Sequence, residues 1–380
     1  MRRFMLALPV FGLVALTTAK KCSNITVPIS ISARNGVFNL SAPANNIEAT
    51  NFVLNLAQAG QNYSATLLSG YQTVSGDYNI STTLCHPDSG PSSILQVLTH
   101  GIAFDRGYWD FSYNGYNYSY VNQAVDKYGY STFSWDRLGV GESSHGEPIN
   151  EIQVWLEVAA LSSLTGLLRN GSLPGAGQKY EKLIHVGHSF GSIQSYTLAV
   201  INPSISDGLI LTGFSQNGSF ISDFLYAGGL IEANTLSSLQ EFPTGYLASS
   251  DVSSAQRNFF SPGDFDPDIL SVAYSTGQPV TPGELLTIGG LSGVPSEFAG
   301  PVLVITGERD IPFCGGNCLA TGDPGLASIP MSSKQFLNAS SNFEAYIVPG
   351  AGHGLNLEYS HVTTYSQIFD FLGKNGLAAD

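Results

Sequence analysis

The stretch KLIHVGHSFGSIQSYTLAV, residues 182–200, decides how the rest of the chain is read. It opens on an apolar run typical of a strand, Leu183–Gly187, and tightens through Gly187-His188-Ser189-Phe190-Gly191. It then continues in a helical pattern from Phe190 to about Ile201, where Pro203 ends it. A serine on so abrupt a strand-to-helix turn sits in strained backbone geometry. The positions two before and two after it, here Gly187 and Gly191, must therefore lack bulk. Such a turn presents the Ser189 hydroxyl to solvent and aims the N-terminus of the next helix at a reacting oxygen.

A serine hydroxyl is a weak nucleophile until a base takes its proton. Of the seven histidines, His353 in VPGAGHGLN is the one that follows the last strand-like run on a glycine-bordered loop. His188 adjoins Ser189 and is expected to point away from it. His185 lies within a strand, where a packing role is expected, and His86, His145 and His361 have no strand-end context. The base in turn needs a carboxylate to hold its tautomer. Asp310 ends VLVITGERD directly after the run Pro301–Thr306, and is favoured over Glu308 two residues earlier because it falls at the sheet's carboxyl edge. His100-Gly101 closes the run Ile94–Thr99. The next amide, on Ile102, is placed to share an oxyanion with the amide of Phe190.

Outward from these segments, short apolar runs alternate with helical patterns, the signature of strand–helix–strand units in a parallel sheet. The runs are Ile94–Thr99, Tyr130–Trp135, Leu183–Gly187, Gly208–Thr212, Pro301–Thr306 and Ala345–Val348. Ile152, Trp155, Leu156, Ala159, Ala160, Leu164, Leu167 and Leu168 recur at helical spacing before a stop at Gly171. A last helix is expected over Ser360 to Leu372. The reading is an α/β fold with a mostly parallel central sheet, helices on both faces and an inserted helical cap. Residues 20–90 form a β-rich segment packed on a core made of 91–214 and 300–380. The cap is 215–299, an interruption too long to be a bare loop.

HGIAF, DRLGVGES, GHSFG, TGERD and GAGHG occur in this order between about Ile94 and Leu372, and on them the sequence resembles the α/β-hydrolase family. The order Ser189, Asp310, His353 is that of the family's triad. The resemblance implies a serine hydrolase that needs no metal or cofactor; the glycines and charges of Asp136–Ser143 themselves give that loop a scaffold role. The chain departs from lipases with an HGGG loop, since Ile102 and Ala103 follow Gly101. Ser189 also sets it apart from epoxide hydrolase and dehalogenase relatives, whose nucleophile is an aspartate.

Composition narrows the substrate and the setting. The 380 residues are 43% hydrophobic, which excludes intrinsic disorder, and the formal charge of −14 excludes a general nucleic-acid binder and disfavours anionic substrates. The expected partner is a neutral or apolar small-molecule ester, with no stable membrane anchor. Trp109 and Phe111, within an aromatic-rich stretch from Tyr108 to Tyr120, are candidates for the substrate wall. Phe224, Leu225, Tyr226, Phe259, Phe260 and Phe265 are candidates for a lid. Arg2 and Arg3, the apolar run Phe4–Leu16 and the small residues Thr17-Thr18-Ala19 read as a secretory signal peptide over residues 1–19. In an oxidising compartment the four cysteines pair, most simply as Cys22–Cys85 and Cys314–Cys318. Eight glycosylation sequons, at Asn24, Asn39, Asn62, Asn79, Asn117, Asn170, Asn217 and Asn338, fit the same route. Two rival functions share these features. One is a hydrolase-like binding protein that turns nothing over, and the other is a triad enzyme acting on a thioester, amide or lactone.

Overall fold

The computed structural model describes residues 20–379; the signal-peptide expectation over 1–19 lies outside them. The six apolar runs become strands with boundaries within two residues of those read: β3 (Ile94–Thr99), β4 (Ser131–Trp135), β5 (Lys182–His188), β6 (Gly208–Thr212), β9 (Val302–Gly307) and β10 (Phe343–Val348). All but β10 are buried nearly end to end, which is why these strands read as continuous apolar runs without alternation. They pair in parallel in the order β4-β3-β5-β6-β9-β10.

Two long strands, β1 (Lys21–Phe38) and β2 (Leu68–His86), extend the sheet antiparallel beyond β4 to give eight strands. Cys22 stands opposite Cys85 in this register, and the two are bonded. Cys314 and Cys318 are bonded too, so both expected pairings are present.

The segment between β1 and β2 departs from the β-rich reading of residues 20–90. Helices Asn46–Leu56 and Tyr63–Leu67 lie there. The Asn45 side chain accepts from the amides of Ile47 and Glu48, a cap worth about 1 kcal/mol. Ala49, Phe52 and Val53 then turn inward at helical spacing. The β pattern on either side masked a helix only three turns long.

Helix Val154–Asn170 carries the apolar stripe read from the sequence and ends at Gly171, whose φ of 76° is the left-handed stop expected of it. Ile152 precedes the helix and Trp155 is only partly buried, so the stripe is narrower than its sequence period. Between β6 and β9 the chain forms helices Ile221–Gly228, Val252–Phe259, Pro267–Ser275 and Pro282–Leu286. A two-stranded sheet of β7 (Leu230–Glu232) and β8 (Leu247–Ser249) also lies there, so this insertion is not wholly helical.

Candidate active site

β5 delivers Ser189 at its carboxyl end, and helix Phe190–Ile201 starts at the next residue. Ser189 has φ 55° and ψ −119°, a conformation side chains seldom adopt and one that persists only when neighbours impose it. The crowding is measurable. A Cβ at Gly187 would come within 2.5 Å of the Ser192 backbone, and one at Gly191 within 2.1 Å of the Thr99 carbonyl oxygen. Gly101 faces Ser189 in the same way, where a Cβ would meet the Ser189 Cβ at 2.9 Å. The strained turn and the β3 loop are thus pressed together.

Asp310 follows β9 by three residues and His353 follows β10 by five, so both reach the same edge of the sheet. Ser189 Oγ lies 2.8 Å from His353 Nε2, and His353 Nδ1 lies 2.7 Å from Asp310 Oδ2. Thr306 Oγ1 donates to that same Asp310 oxygen at 2.5 Å, and the Phe313 amide donates to Oδ1 at 2.9 Å. A carboxylate oxygen that already accepts from Thr306 takes its second bond as an acceptor. The proton therefore sits on Nδ1, which leaves the Nε2 lone pair facing the serine hydroxyl. His353 and Asp310 are buried, and Ser189 is 9% exposed. Glu308 turns elsewhere and accepts from the Gly350 amide at 3.0 Å, so the two carboxylates are separated by geometry.

Ile102 and Phe190 border the same cavity as Ser189. Neither backbone N–H has an acceptor among the described residues, which leaves two donors beside the hydroxyl. The following residue, Ala103, has φ 69°, a second strained position that the sequence did not signal. His100 braces this loop: Nδ1 donates to the Gly101 carbonyl at 2.8 Å, and Nε2 accepts from the Arg137 amide at 3.1 Å. Burial drives the His100 pKa well below its usual value, with Arg137 adding to the effect, so the ring stays neutral.

His188 makes no hydrogen bond to Ser189 among the described residues, and its ring lies 5.0 Å from that of His353. Its ring stacks on Tyr108 at 4.3 Å, and its Nδ1 bonds Thr212 at 3.1 Å. Burial lowers its pKa as well. His185 bridges Thr165 and Ser206 inside the fold, the packing role read for it.

The Asp136–Ser143 loop is the hub of a network. Arg106 pairs with Asp136 and with Glu142, and Ser143 Oγ donates to the Asp136 carbonyl at 2.7 Å. Arg137 is fully buried between Glu157, at 2.7 Å, and Glu284, and its guanidinium lies 4.9 Å over the Phe190 ring. Burial pushes Glu157 well above the usual carboxylate range, opposed by Arg137 and reinforced by Glu284.

The cavity at Ser189 corrects one expectation. Trp109 and Phe111 do not line it. Trp109 is wholly buried against Tyr108 and Tyr120, and Phe111 is buried as well. The wall is instead Ile102 and Ile193 from the core, Ile221, Phe224 and Ile288 from the insertion, and Pro312 and Phe313 just after Asp310. Apart from Ser189 every lining side chain is apolar. Sequence reasoning also missed Thr306 and Glu358. Thr306 was hidden as one more β9 residue. The buried Glu358 carboxylate accepts from the Gly352 amide at 2.6 Å and the Ser261 amide at 2.5 Å, and so clamps the residue before His353.

Solved structures resemble this chain in fold. A thermophilic esterase from Thermogutta terrifontis aligns with 79% of this chain and 94% of its own, at TM-score 0.51 and 15% identity. An enol-lactonase from Burkholderia xenovorans covers 78% of this chain and 97% of its own, at TM-score 0.52 and 12% identity. Epoxide hydrolase A from Mycobacterium thermoresistibile gives TM-score 0.50 and 17% identity over 78% of this chain and 95% of its own. At these identities the likeness speaks to fold alone. No curated protein matches the chain in sequence. The Alpha/beta hydrolase family, however, matches residues 96–363, a span that contains Ser189, Asp310 and His353. With that match and the eight-stranded, mostly parallel sheet flanked by helices, the chain belongs to the alpha/beta hydrolase family, whose membership supports a hydrolytic activity.

Proposed function

We propose that the protein is a secreted serine hydrolase that cleaves carboxylic esters of neutral or apolar small molecules through an acyl-enzyme. The observation that carries this reading is the unbroken row Ser189–His353–Asp310, at 2.8 and 2.7 Å, opening on an apolar cavity. His353 takes the hydroxyl proton as Ser189 Oγ attacks the ester carbonyl. Asp310 holds the ring and stabilises the imidazolium that forms. The oxyanion is received by the amides of Ile102 and Phe190, each worth about 3 kcal/mol of barrier. His353 returns its proton to the departing alcohol. It then deprotonates the water that releases the acyl group from Ser189.

Secretion is supported by the amino-terminal pattern of a basic start and a short apolar run, and by the two bonded cysteine pairs. Of the sequon asparagines, Asn217 is half-buried and the other seven are exposed.

The test is a fluorophosphonate probe on the intact protein. It should label the wild type and leave Ser189→Ala unlabelled. Equal labelling of both would end the proposal, as would small ligands bound tightly with no turnover and activity unchanged in His353→Ala.

A further inference from the structure

The cavity at Ser189 has room for about one water molecule, too little for an ester group. A lining side chain must therefore turn aside before a carbonyl can reach the hydroxyl. Ile102, Phe190, Ile193, Phe224, Pro312 and Phe313 are buried, whereas Ile221 and Ile288 are half-buried. Those same two residues also line an open groove of about 550 Å³. Ile221 begins helix Ile221–Gly228, and Ile288 lies two residues past helix Pro282–Leu286, so both stand on the insertion. They form the partition between the nucleophile and the groove.

The groove suits an uncharged, apolar guest. Its lining includes Phe38, Leu56, Leu68, Trp155, Leu225 and Leu286, and it includes no Asp, Glu, Lys, Arg or His, in a chain of formal charge −14. One wall comes from β1, β2 and the two helices between them, through Gly36, Phe38, Leu56, Ala65, Leu68 and Tyr71. Residues 36–71 precede the span 96–363 matched by the family, so this wall is an addition to the hydrolase core. We propose that the preferred substrates are uncharged esters with one elongated apolar arm, which runs from Ser189 past Ile221 and Ile288 into the groove, where residues 36–71 are its specificity-determining wall. A long arm gains contact along the groove that a short one cannot reach. Turning Ile221 and Ile288 about their side-chain torsions opens the way without lifting the insertion. This inference rests on the serine-ester reading above and names the substrate class which that reading takes.

Two ester series give the test, alkyl acetates from ethyl to octyl and ethyl alkanoates from acetate to octanoate, each kept below its micelle-forming concentration. In the wild type kcat/KM should rise about tenfold or more from the shortest to the longest member of one series, the least that added methylenes bring in an apolar site. A flat or falling profile in both series overturns the proposal. Gly218 and Gly289 also line the groove, where a Cβ on either would meet nothing within 4 Å and neither φ is left-handed. Gly218→Phe and Gly289→Phe should therefore fold, fill the groove and cut the long-to-short ratio severalfold. Gly373→Phe, on helix His361–Lys374 and outside the groove, has the same free space at its Cβ and should keep the wild-type ratio. A ratio untouched by both groove variants, or lowered equally by Gly373→Phe, also overturns the proposal. Fluorophosphonate labelling run in parallel separates the two levels. Labelled Ser189 without the chain-length profile sinks the groove assignment alone, whereas no labelling removes the serine-ester reading beneath it.

Discussion

Two buried rows of ionisable side chains lie close together in this molecule, one on each side of Phe190. Ser189, His353 and Asp310 form the first. Glu157, Arg137 and Glu284 form the second, with the Arg137 guanidinium against the Phe190 ring. Each gathers residues far apart in the chain, and each is nearly or wholly shut from water. They differ in what the last member faces. Ser189 ends its row at a cavity with two unpartnered amides beside it, while Arg137 is enclosed by carboxylates at both sides. A buried charge cluster becomes a candidate site only where one member keeps an unsatisfied direction into open space. Where the members face one another and the packed interior and none opens on a cavity, the cluster orders the fold.

Breaking the first row should cost activity and spare the fold. Asp310→Asn keeps the shape but offers His353 a competing donor, which frees the ring to adopt the wrong tautomer. The expected loss is about 10⁴-fold in kcat, the scale of this lesion in other serine triads. Steady-state hydrolysis of a short-chain aryl ester would measure it, with the denaturation midpoint as control. A loss below tenfold would mean that Asp310 is not the orienting carboxylate.

Breaking the second row should do the reverse. Arg137→Met leaves Glu157 and Glu284 facing each other in the interior without their cation, a lesion that costs about 3–5 kcal/mol. Chemical denaturation would read this loss. Protein that remains folded should still take the fluorophosphonate at Ser189. The triple replacement by apolar residues of similar volume should recover most of the stability. If Arg137→Met alone left stability untouched, the cluster would not be the structural keystone its burial implies.

The contrast also explains what could be read from the chain. Each member of the first row sits on its own strand end inside a short glycine-marked motif, so GHSFG, TGERD and GAGHG announce it locally. The parallel strands were legible for a related reason, since burial on both faces leaves continuous apolar runs. The second row carries no such mark. Arg137 meets Glu284 across 147 positions of sequence, and nothing around Glu284 distinguishes it from a helix-capping acid, which it also is. Trp109 and Phe111 misled because an aromatic side chain fits a core as well as a pocket, and only tertiary packing decides between them. Helix Asn46–Leu56 did carry a local signal, Asn45 with Glu48, but it lay between two long alternating strands whose pattern dominated the window.

Glu358 sharpens the comparison because it belongs to neither row. It is sealed like Glu157, yet it grips the amide of Gly352, next to His353. Burial pushes its pKa up to about 8, opposed by the amides of Ser261 and Gly352 and reinforced by the nearby carboxylates of Asp264 and Asp310. The unfolded chain releases this proton near pH 4.5, while the folded chain holds it until about pH 8. Between those values the native state binds more protons than the unfolded one, so stability falls as pH rises across the window, by at most about 1.4 kcal/mol per pH unit from this group. Glu358→Gln keeps the volume and one carbonyl acceptor and cannot titrate. Its Tm, measured at pH 5, 6.5 and 8, should therefore decline less steeply than that of the wild type. Parallel slopes would show that the carboxylate ionises as freely in the fold as out of it. In that case its two amide bonds, rather than its burial, set its charge, and Glu358 would belong with the carboxylates that the fold keeps ionised.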